Sequence, residues 1–397
     1  MNSATRSTFA AAGLQHIKQE LAKGTGISII ALVNGLLEEA HAKGASDIHL
    51  DPTGAHLRVR LRIDGVLEEA HLFSKSVHLE VIARIKVLAG LRTDEHATSQ
   101  DGRFRHIVAS SECIDLRVSI MPTFHGENAV LRLLAQQAKS FALADLGFSP
   151  NDQVHIQTAV KKQSGMILAT GPTGSGKTTT LYSLLNQLNS PRVSIVTIED
   201  PIEYAIADIE QIQINPRSGL TFANGLRSIL RQDPDIIMVG EIRDAETAGI
   251  AVNTALTGHL LLSTLHTNDA ATTLPRLLDM GIDAYLVAST INIAVGQRLV
   301  RKICLNCKGK MTQSGVAVYK GAGCEACSGS GFKGRVCINE VLVATDDIRQ
   351  AIVRKASAAE IKAIAIKNGM TTMQEDGFAK AARGETTMEE VLRVIHD

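Results

Sequence analysis

The sequence predicts an α/β protein built around a parallel sheet, with a small α+β domain before that sheet. Apolar segments near 166–170, 193–198, 235–239 and 260–264 alternate with helix-compatible stretches. This alternation is typical of parallel strands covered by helices on both faces. The first apolar segment runs directly into a glycine-rich loop. Because ligands of such sheets bind at the carboxyl ends of the strands, we expect the functional residues there.

The glycine-rich loop has the pattern G-x-x-x-x-G-K-T between a strand and a helix. Its residues are Gly171, Pro172, Thr173, Gly174, Ser175, Gly176, Lys177 and Thr178, followed by Thr179 in the helix. Backbone N–H groups of this loop and the positive end of the helix suit a polyphosphate. Lys177 would reach the β- and γ-phosphates of ATP, and the Thr178 hydroxyl would ligate Mg²⁺. A glycine-rich turn without a ligand is the alternative, but both flanks favour the phosphate loop.

Composition limits the other functions. With 397 residues the chain predicts two or three domains. Lys plus Arg and Asp plus Glu both total 41, and Trp is absent, so neither a basic field nor a base-stacking platform favours direct nucleic-acid binding. The start of the chain lacks a signal-peptide pattern, and no window reaches membrane-spanning length. We therefore expect a soluble cytoplasmic protein.

Composition and periodicity also predict domain boundaries. Alternation over 57–63, the turn Asp64-Gly65 and a helical stripe over 77–88 indicate the α+β domain. The expected segments are a leader at 1–26, the α+β domain at 27–135, a linker at 136–150, the nucleotide-binding core at 151–300, a cysteine module at 301–340 and a C-terminal part at 341–397. We expect two or three helices in that last segment.

Carboxylates follow two of the predicted strands. Glu199 and Asp200 follow the strand 195–198, and Gly240-Glu241 follow the strand 236–239. Hydrolysis of a nucleotide needs one carboxylate to activate water and others near magnesium. Because Gly240 stands where many such strands place Asp, we predict Glu241 as the base and Glu199 with Asp200 as partners of the metal. Helix caps or ion pairs with arginines are the alternative.

Two histidines flank the strand 260–263. His266 follows its carboxyl end, where a histidine can sense the γ-phosphate by donating a hydrogen bond. His259 precedes the strand. A structural histidine with satisfied hydrogen bonds is the competing interpretation for both.

Two C-x-x-C pairs predict one metal site. Cys304 and Cys307 form the first pair, and Cys324 and Cys327 the second. Four thiolates close a tetrahedron around zinc and leave no position for water, so the ion would be structural. Disulfides or free thiols are the alternative, which a cytosolic chain disfavours. Cys113 and Cys337 are expected to be ordinary buried thiols.

Several motifs in order resemble those of the secretion ATPases of type II secretion and type IV pilus assembly. The motor motifs are the loop 171–178, the segments 197–203 and 231–244, and 257–267; upstream motifs are 46–49, 62–65, 117–122, 126–127 and Arg132. The resemblance implies a RecA-like P-loop domain after a PAS-like domain, and a homohexamer. It also implies that Arg117 and Arg132 reach the phosphates, and that Arg227, Arg231 and Arg243 line the subunit interface; a surface ion pair is the alternative for each.

The resemblance also implies partners. They are an inner-membrane platform protein and, indirectly, pilins or pseudopilins, so the protein would be peripheral at the inner membrane through its partners. The tetracysteine segment favours an assembly motor over a retraction motor, and the sequence begins almost directly with the motor-proximal domain, without the longer N-terminal domain of many relatives. A DNA-transfer translocase and a non-hydrolysing nucleotide-gated scaffold are the competing classes.

Overall fold

The computed structural model describes residues 15–23, 26–108, 113–134, 141–313 and 316–396. Parts of the predicted leader and of the predicted linker, 1–14, 24–25 and 136–140, lie outside these residues. Contacts divide the chain into two compact units: Met1–Gln137 with Cys324–Gly329, and Ala138–Gly323 with Ser330–Asp397. Among the described residues, no helix combines the length and apolarity that crossing a bilayer requires.

The first unit contains an antiparallel sheet and two long helices. The strands are β1 (Ala45–Pro52), β2 (His56–Ile63), β3 (Val66–Ser74), β4 (Gln100–Ile107), β5 (Cys113–Thr123) and β6 (Gly126–Leu134), in the order β3-β2-β1-β6-β5-β4. The longest helices among the described residues of this unit are α1 (Ile29–Ala42) and α2 (His78–Ala89), and a shorter helical stretch covers 15–22. The predicted mixture of helix and strand is therefore present.

Local sequence explains how these elements begin and end. Asp64 and Gly65 have φ values of 47° and 88°, which is the left-handed pair that a two-residue hairpin turn between β2 and β3 requires. Ser28 caps α1 by accepting a hydrogen bond from the backbone of Ala31 at 3.3 Å. Alternate residues of β5, such as Leu116 and Val118, are buried in the core of this unit.

The second unit is built on a seven-stranded sheet. Its strands are β7 (Gly165–Thr170), β8 (Ile195–Glu199), β9 (Glu210–Gln213), β10 (Ile236–Val239), β11 (Leu260–Leu265), β12 (Ile291–Ile303) and β15 (Phe332–Val343), in the order β15-β12-β7-β11-β10-β8-β9. All neighbours pair in parallel except β12 and β15, which are antiparallel. β13 (Lys308–Gln313) and β14 (Val316–Gly321) form a separate ribbon. The predicted parallel sheet is confirmed.

Helices cover both faces of this sheet. They are α3 (Leu143–Leu146), α4 (Pro150–Val160), α5 (Lys177–Leu188), α6 (Phe222–Ile229), α7 (Ala245–Leu256), α8 (Thr273–Asp279) and α9 (Ala284–Thr290). Met166 and Leu168 of β7 belong to the apolar core on one face, and Ile167 and Ala169 to the core on the other. Since side chains alternate along a strand, β7 is buried from both sides.

The C-terminal part contains four helices, so the expectation of two or three was wrong. They are α10 (Asp346–Val353), α11 (Ala358–Lys367), α12 (Met373–Ala382) and α13 (Met388–His396). Lys355, Gly369 and Gly384 follow the first three of these helices with φ values of 55°, 95° and 69°. Such left-handed residues end a helix, so what looked like longer helical stretches is divided into shorter ones.

Candidate nucleotide site and cysteine cluster

The loop 171–178 connects the buried strand β7 to the N-terminus of α5. Gly171, Gly174 and Gly176 all have positive φ, and Gly176 occupies the N-cap position of α5. The side-chain amide of Gln297 donates to the Ser175 carbonyl at 2.9 Å and holds the loop from below. The loop thus presents its backbone and the positive end of a helix at the carboxyl edge of the sheet, which suits a bound phosphate.

Lys177 is folded back onto this loop. Its ammonium group donates to the carbonyls of Gly171 at 2.7 Å and Pro172 at 3.0 Å, and the side chain is buried. Burial lowers the pKa of Lys177 to about 8, against the opposing effect of the Glu241 carboxylate. A bound phosphate would place a negative charge beside Lys177 and so compensate for the hydration that burial has removed.

Ser175 supports the same ligand. Its hydroxyl oxygen is buried and has no hydrogen-bond partner among the described residues. An unsatisfied buried hydroxyl is costly, and a phosphate oxygen would satisfy it. The residues present therefore fit a nucleotide at this loop.

Glu241 follows β10 and lies beside the side chains of an arginine and a histidine. Its carboxylate pairs with Arg243 at 2.5 Å and with Nε2 of His266 at 3.2 Å. The structure thus brings together three residues that sequence reasoning selected separately. A Cβ on the preceding Gly240 would lie 3.3 Å from the Cα of Glu199, so a side chain at this position would fit only with a small shift of β8.

Glu199 ends β8 but is enclosed. Its carboxylate accepts hydrogen bonds from Thr197 at 2.6 Å, Gln211 at 3.2 Å and the Tyr182 hydroxyl, and only 2% of the residue is exposed. Burial raises the pKa of Glu199, although these donors oppose the shift. The next residue, Asp200, is exposed. The two predicted metal partners therefore have different environments.

The two histidines lie at opposite ends of β11. His266 follows the carboxyl end of β11 and has a half-exposed ring beside Glu241. His259 precedes β11, where its Nδ1 lies 3.2 Å from the Thr254 carbonyl. It lines a cavity of about 530 Å³ at the amino ends of the strands. Only His266 is placed with the phosphate loop.

Of the three arginines predicted to line an interface, one contacts Glu241 and two have other partners. Arg243 contacts Glu241 directly, whereas Arg227 pairs with Glu246 at 2.7 Å and links α6 to α7. Arg231 donates to the Arg227 carbonyl at 2.9 Å. All three have exposed guanidinium groups. The exposed pair of Arg227 contributes little to stability, so this side chain can move to another partner at small cost, whereas Arg243 pairs with a buried carboxylate.

Arginines of the first unit form a row across its sheet. The strand registers place Arg103 opposite Arg117, Arg117 opposite Arg132, Arg132 opposite Asp47, and Asp47 opposite Arg62. Directly opposed residues share a face. Asp47 accepts a hydrogen bond from Nε of Arg132 at 2.9 Å. The two arginines selected from sequence, Arg117 and Arg132, are therefore neighbours.

Sequence reasoning missed residues that approach the loop from distant strands. Gln297 and Arg298 lie on β12, more than 100 residues after the loop in the chain. Arg298 lies close enough to Lys177 to contribute to lowering its pKa. The signal available was a Gln-Arg pair between the apolar residues in the middle of the strand. Polar residues at such positions indicate a contact other than core packing.

The four predicted cysteines lie together. Their four sulfur atoms all lie within 4.8 Å of one another; the residues are Cys304, Cys307, Cys324 and Cys327. The Cys324 and Cys327 sulfurs are 3.7 Å apart, far beyond a disulfide bond and close to the roughly 3.8 Å edge of a tetrahedron with Zn–S bonds of about 2.3 Å. No disulfide bond joins the cysteines, all of which are described. The cluster is compatible with a zinc module.

A family model described as "Type II/IV secretion system protein" matches residues 22–393. The chain belongs to this family. The resemblance found from the sequence motifs is therefore confirmed.

Curated members of the family are closely similar. The chain is 48% identical to type II secretion system protein E of Xanthomonas campestris pv. campestris over 93% of its length and 68% of the relative's. It is 46% identical to the type IV pilus assembly ATPase PilB of Thermus thermophilus over 91% of its length, but spans only 42% of that relative.

A solved structure of the pilus retraction motor PilT with bound ADP also matches. It has a TM-score of 0.63 and 27% identity, and covers 92% of this chain and 97% of the motor. The likeness agrees with the predicted α/β fold class.

Proposed function

We propose that this protein is an ATPase that drives the assembly of pilins or pseudopilins in type IV pilus or type II secretion systems. One observation carries the proposal: the phosphate loop with its buried Lys177 shares a sheet edge with Glu241, which is held by Arg243 and His266. The curated relatives, named as type II secretion and pilus assembly proteins, support it.

Glu241 is the proposed base. A base must hold its carboxylate toward the attacking water, and Arg243 and His266 fix the two oxygens of Glu241 at the end of β10. The ring of His266 contacts the Glu241 carboxylate, which would face the attacking water. His266 would therefore sense the γ-phosphate and shift the loop that follows β11. The residue thereby couples the chemistry to a change in backbone position.

The nucleotide and its magnesium would be held by the loop. Lys177 would turn from the Gly171 and Pro172 carbonyls to the phosphates, and the Thr178 hydroxyl would ligate Mg²⁺. Of the two acids after β8, exposed Asp200 suits the waters of the ion. Glu199 would act indirectly, because its oxygens are occupied by Tyr182, Thr197 and Gln211 and fix α5 from beneath.

We propose a homohexamer in which arginines complete the site. Arg117 and Arg132 would reach the phosphates from the first unit, and Arg227, Arg231 and Arg243 would line the subunit interface. A guanidinium that arrives only in the closed state can stabilise the charge of the transition state strongly. The guanidinium groups of Arg132, Arg227 and Arg243 are exposed, which is consistent with such exchange.

The proposed partner is a platform protein of the inner membrane, and the proposed location is the cytoplasmic side of that membrane through this partner. Assembly is favoured over retraction for two reasons. The four-cysteine cluster is typical of assembly ATPases, and the identity of 46% to an assembly ATPase exceeds the 27% to the retraction motor.

The four cysteines would hold one structural zinc ion. We expect about one zinc per purified chain, because four thiolates saturate its tetrahedral coordination. Cys304→Ser should lower the zinc content and the melting temperature, whereas Cys113→Ser, which alters a thiol outside the cluster, should change neither. Metal analysis and thermal unfolding of the unaltered protein and of both variants measure these two effects. Unaltered protein that contains no zinc after purification would contradict the site.

The activity is tested by measuring ATP turnover of the purified chain with magnesium, with and without DNA. The proposal expects steady hydrolysis that DNA leaves unchanged. Strong stimulation by DNA would favour a translocase, and binding of ATP without turnover would favour a nucleotide-gated scaffold.

A further inference from the structure

Glu340 is a buried carboxylate on β15 that lies outside the proposed chemistry. Only 1% of the residue is exposed. One oxygen accepts the backbone N–H of Ala270 at 2.8 Å, and the other accepts that of Met373 at 3.2 Å. Ala270 belongs to the loop that follows His266, and Met373 is the first residue of α12. Glu340 therefore joins the loop after β11 to the C-terminal helices.

The same loop is tied to the phosphate-loop strand on its other side. Thr170 at the end of β7 donates to the Leu265 carbonyl at 3.1 Å and accepts the N–H of Thr267 at 3.1 Å. Residues 265–270 are thus held between the strand that leads into the phosphate loop and the strand that carries Glu340. We call this segment the His266 loop.

A second connection between the His266 loop and the C-terminal helices is ionic. Lys362 of α11 donates to Asp269 of the His266 loop at 3.2 Å and lies 3.8 Å from Glu340. Asp269 in turn accepts the N–H of Thr272 at 2.8 Å. Burial lowers the pKa of Lys362, but the carboxylates of Glu340 and Asp269 outweigh burial and raise it. The charged pair is therefore maintained at neutral pH.

The backbone opposite Glu340 is shaped for this contact. Gly296 of β12 lies opposite Glu340 on one side and Thr170 on the other. A Cβ at Gly296 would lie 2.9 Å from the Ala270 nitrogen and 3.1 Å from Cγ of Glu340. Any side chain there would separate the carboxylate from the His266 loop.

We propose that Glu340 is a positioning residue that fixes the His266 loop for catalysis and conveys its position to the helices α11 and α12. The inference rests on the proposed ATPase function. A shift of His266 on loss of the γ-phosphate moves Ala270, four residues later, and Glu340 passes that shift to the N-terminus of α12. The C-terminal helices then respond to the nucleotide without touching it.

The test compares Glu340→Gln with Asp376→Asn. Gln has one acceptor oxygen and cannot satisfy the N–H groups of both Ala270 and Met373. Asp376 is the matched control, because this buried acid of α12 accepts the N–H of Asn339 of β15 at 3.0 Å and the Lys380 ammonium. Among the described residues, these hydrogen-bond partners of Asp376 lie outside the His266 loop.

We expect Glu340→Gln to lower kcat about 2- to 30-fold while the Kd for a non-hydrolysable ATP analogue stays unchanged. Asp376→Asn should lower the melting temperature but leave kcat unchanged when assayed well below that temperature. In the background of His266→Ala, Glu340→Gln should cause no further loss, because both act through one loop.

Three results would overturn the inference. They are an unchanged kcat in Glu340→Gln, an equal loss in Asp376→Asn, or a loss that multiplies with that of His266→Ala. If Glu340→Gln fails to fold, Lys362→Met provides the same comparison at a part-exposed position. We expect this variant to have a lower kcat, and a wild-type kcat would contradict the inference. Absence of turnover in the unaltered protein would instead refute the proposed function.

Discussion

The ends of β8 and β10 are neighbouring strand ends that carry the same functional group, a buried carboxylate, among different partners. At the end of β8, Glu199 is enclosed by Thr197, Gln211 and Tyr182. At the end of β10, Glu241 faces the half-exposed His266 and the exposed Arg243. Neutral donors surround one carboxylate, whereas an arginine and a histidine contact the other.

This difference suits Glu199 to a structural role and Glu241 to the role of the base. Burial raises the pKa of Glu199, and its donors fix it to α5, the helix that begins at the phosphate loop. A group so enclosed can hold a helix but cannot readily meet a water molecule. Glu241 is also buried, but movement of Arg243 can release it, because the guanidinium of Arg243 is exposed. We therefore expect substitutions at the two positions to have unequal effects on hydrolysis.

Glu241→Gln should have the largest effect. The amide keeps the shape of the side chain but cannot accept a proton, so we expect kcat to fall about 10²- to 10⁴-fold. Binding of ATP should persist, since Lys177 and the loop are unchanged. Single-turnover hydrolysis together with nucleotide titration measures both. Hydrolysis at the wild-type rate would remove Glu241 from the base role.

The pH dependence of ATP binding should show the next effect. Burial lowers the pKa of free Lys177 to about 8, and phosphates would raise it in the complex. Affinity should therefore be full below about pH 8 and fall above it, by at most about tenfold per pH unit. Titration with a non-hydrolysable analogue from pH about 7 to about 9.5 measures this.

Lys177→Arg provides the control for that titration. Arginine keeps its charge over this range, so the decline in affinity above pH 8 should disappear even if the affinity itself is lower. A decline of equal slope in Lys177→Arg would assign the titration to another group.

Contiguous motifs allowed much of the site to be predicted from sequence. The loop 171–178 and both cysteine pairs have spacings that specify their own geometry, and the apolar segments predicted β7, β8, β10 and β11 correctly. The assignment of Glu241 and His266 to one edge followed from the rule that parallel strands end together.

Side-chain partners could not be predicted so readily. Gln297 supports Ser175 across 122 positions of sequence, and no local pattern indicates that contact. The setting of Glu199 was partly accessible, because Thr197 and Glu199 must share one face of β8. What sequence could not supply was Tyr182, which reaches that face from α5.

Glu199→Gln should have the smallest effect on chemistry. Gln keeps one acceptor for Tyr182, Thr197 and Gln211, so the substitution should cost about 1–3 kcal/mol of unfolding free energy and lower kcat less than tenfold. Tyr182→Phe, which removes one donor from the same network, should reproduce the loss of stability. Denaturant unfolding and turnover assays measure the two effects. A fall in kcat as large as that of Glu241→Gln would place Glu199 at the reacting phosphate and abolish the contrast between the two strand ends.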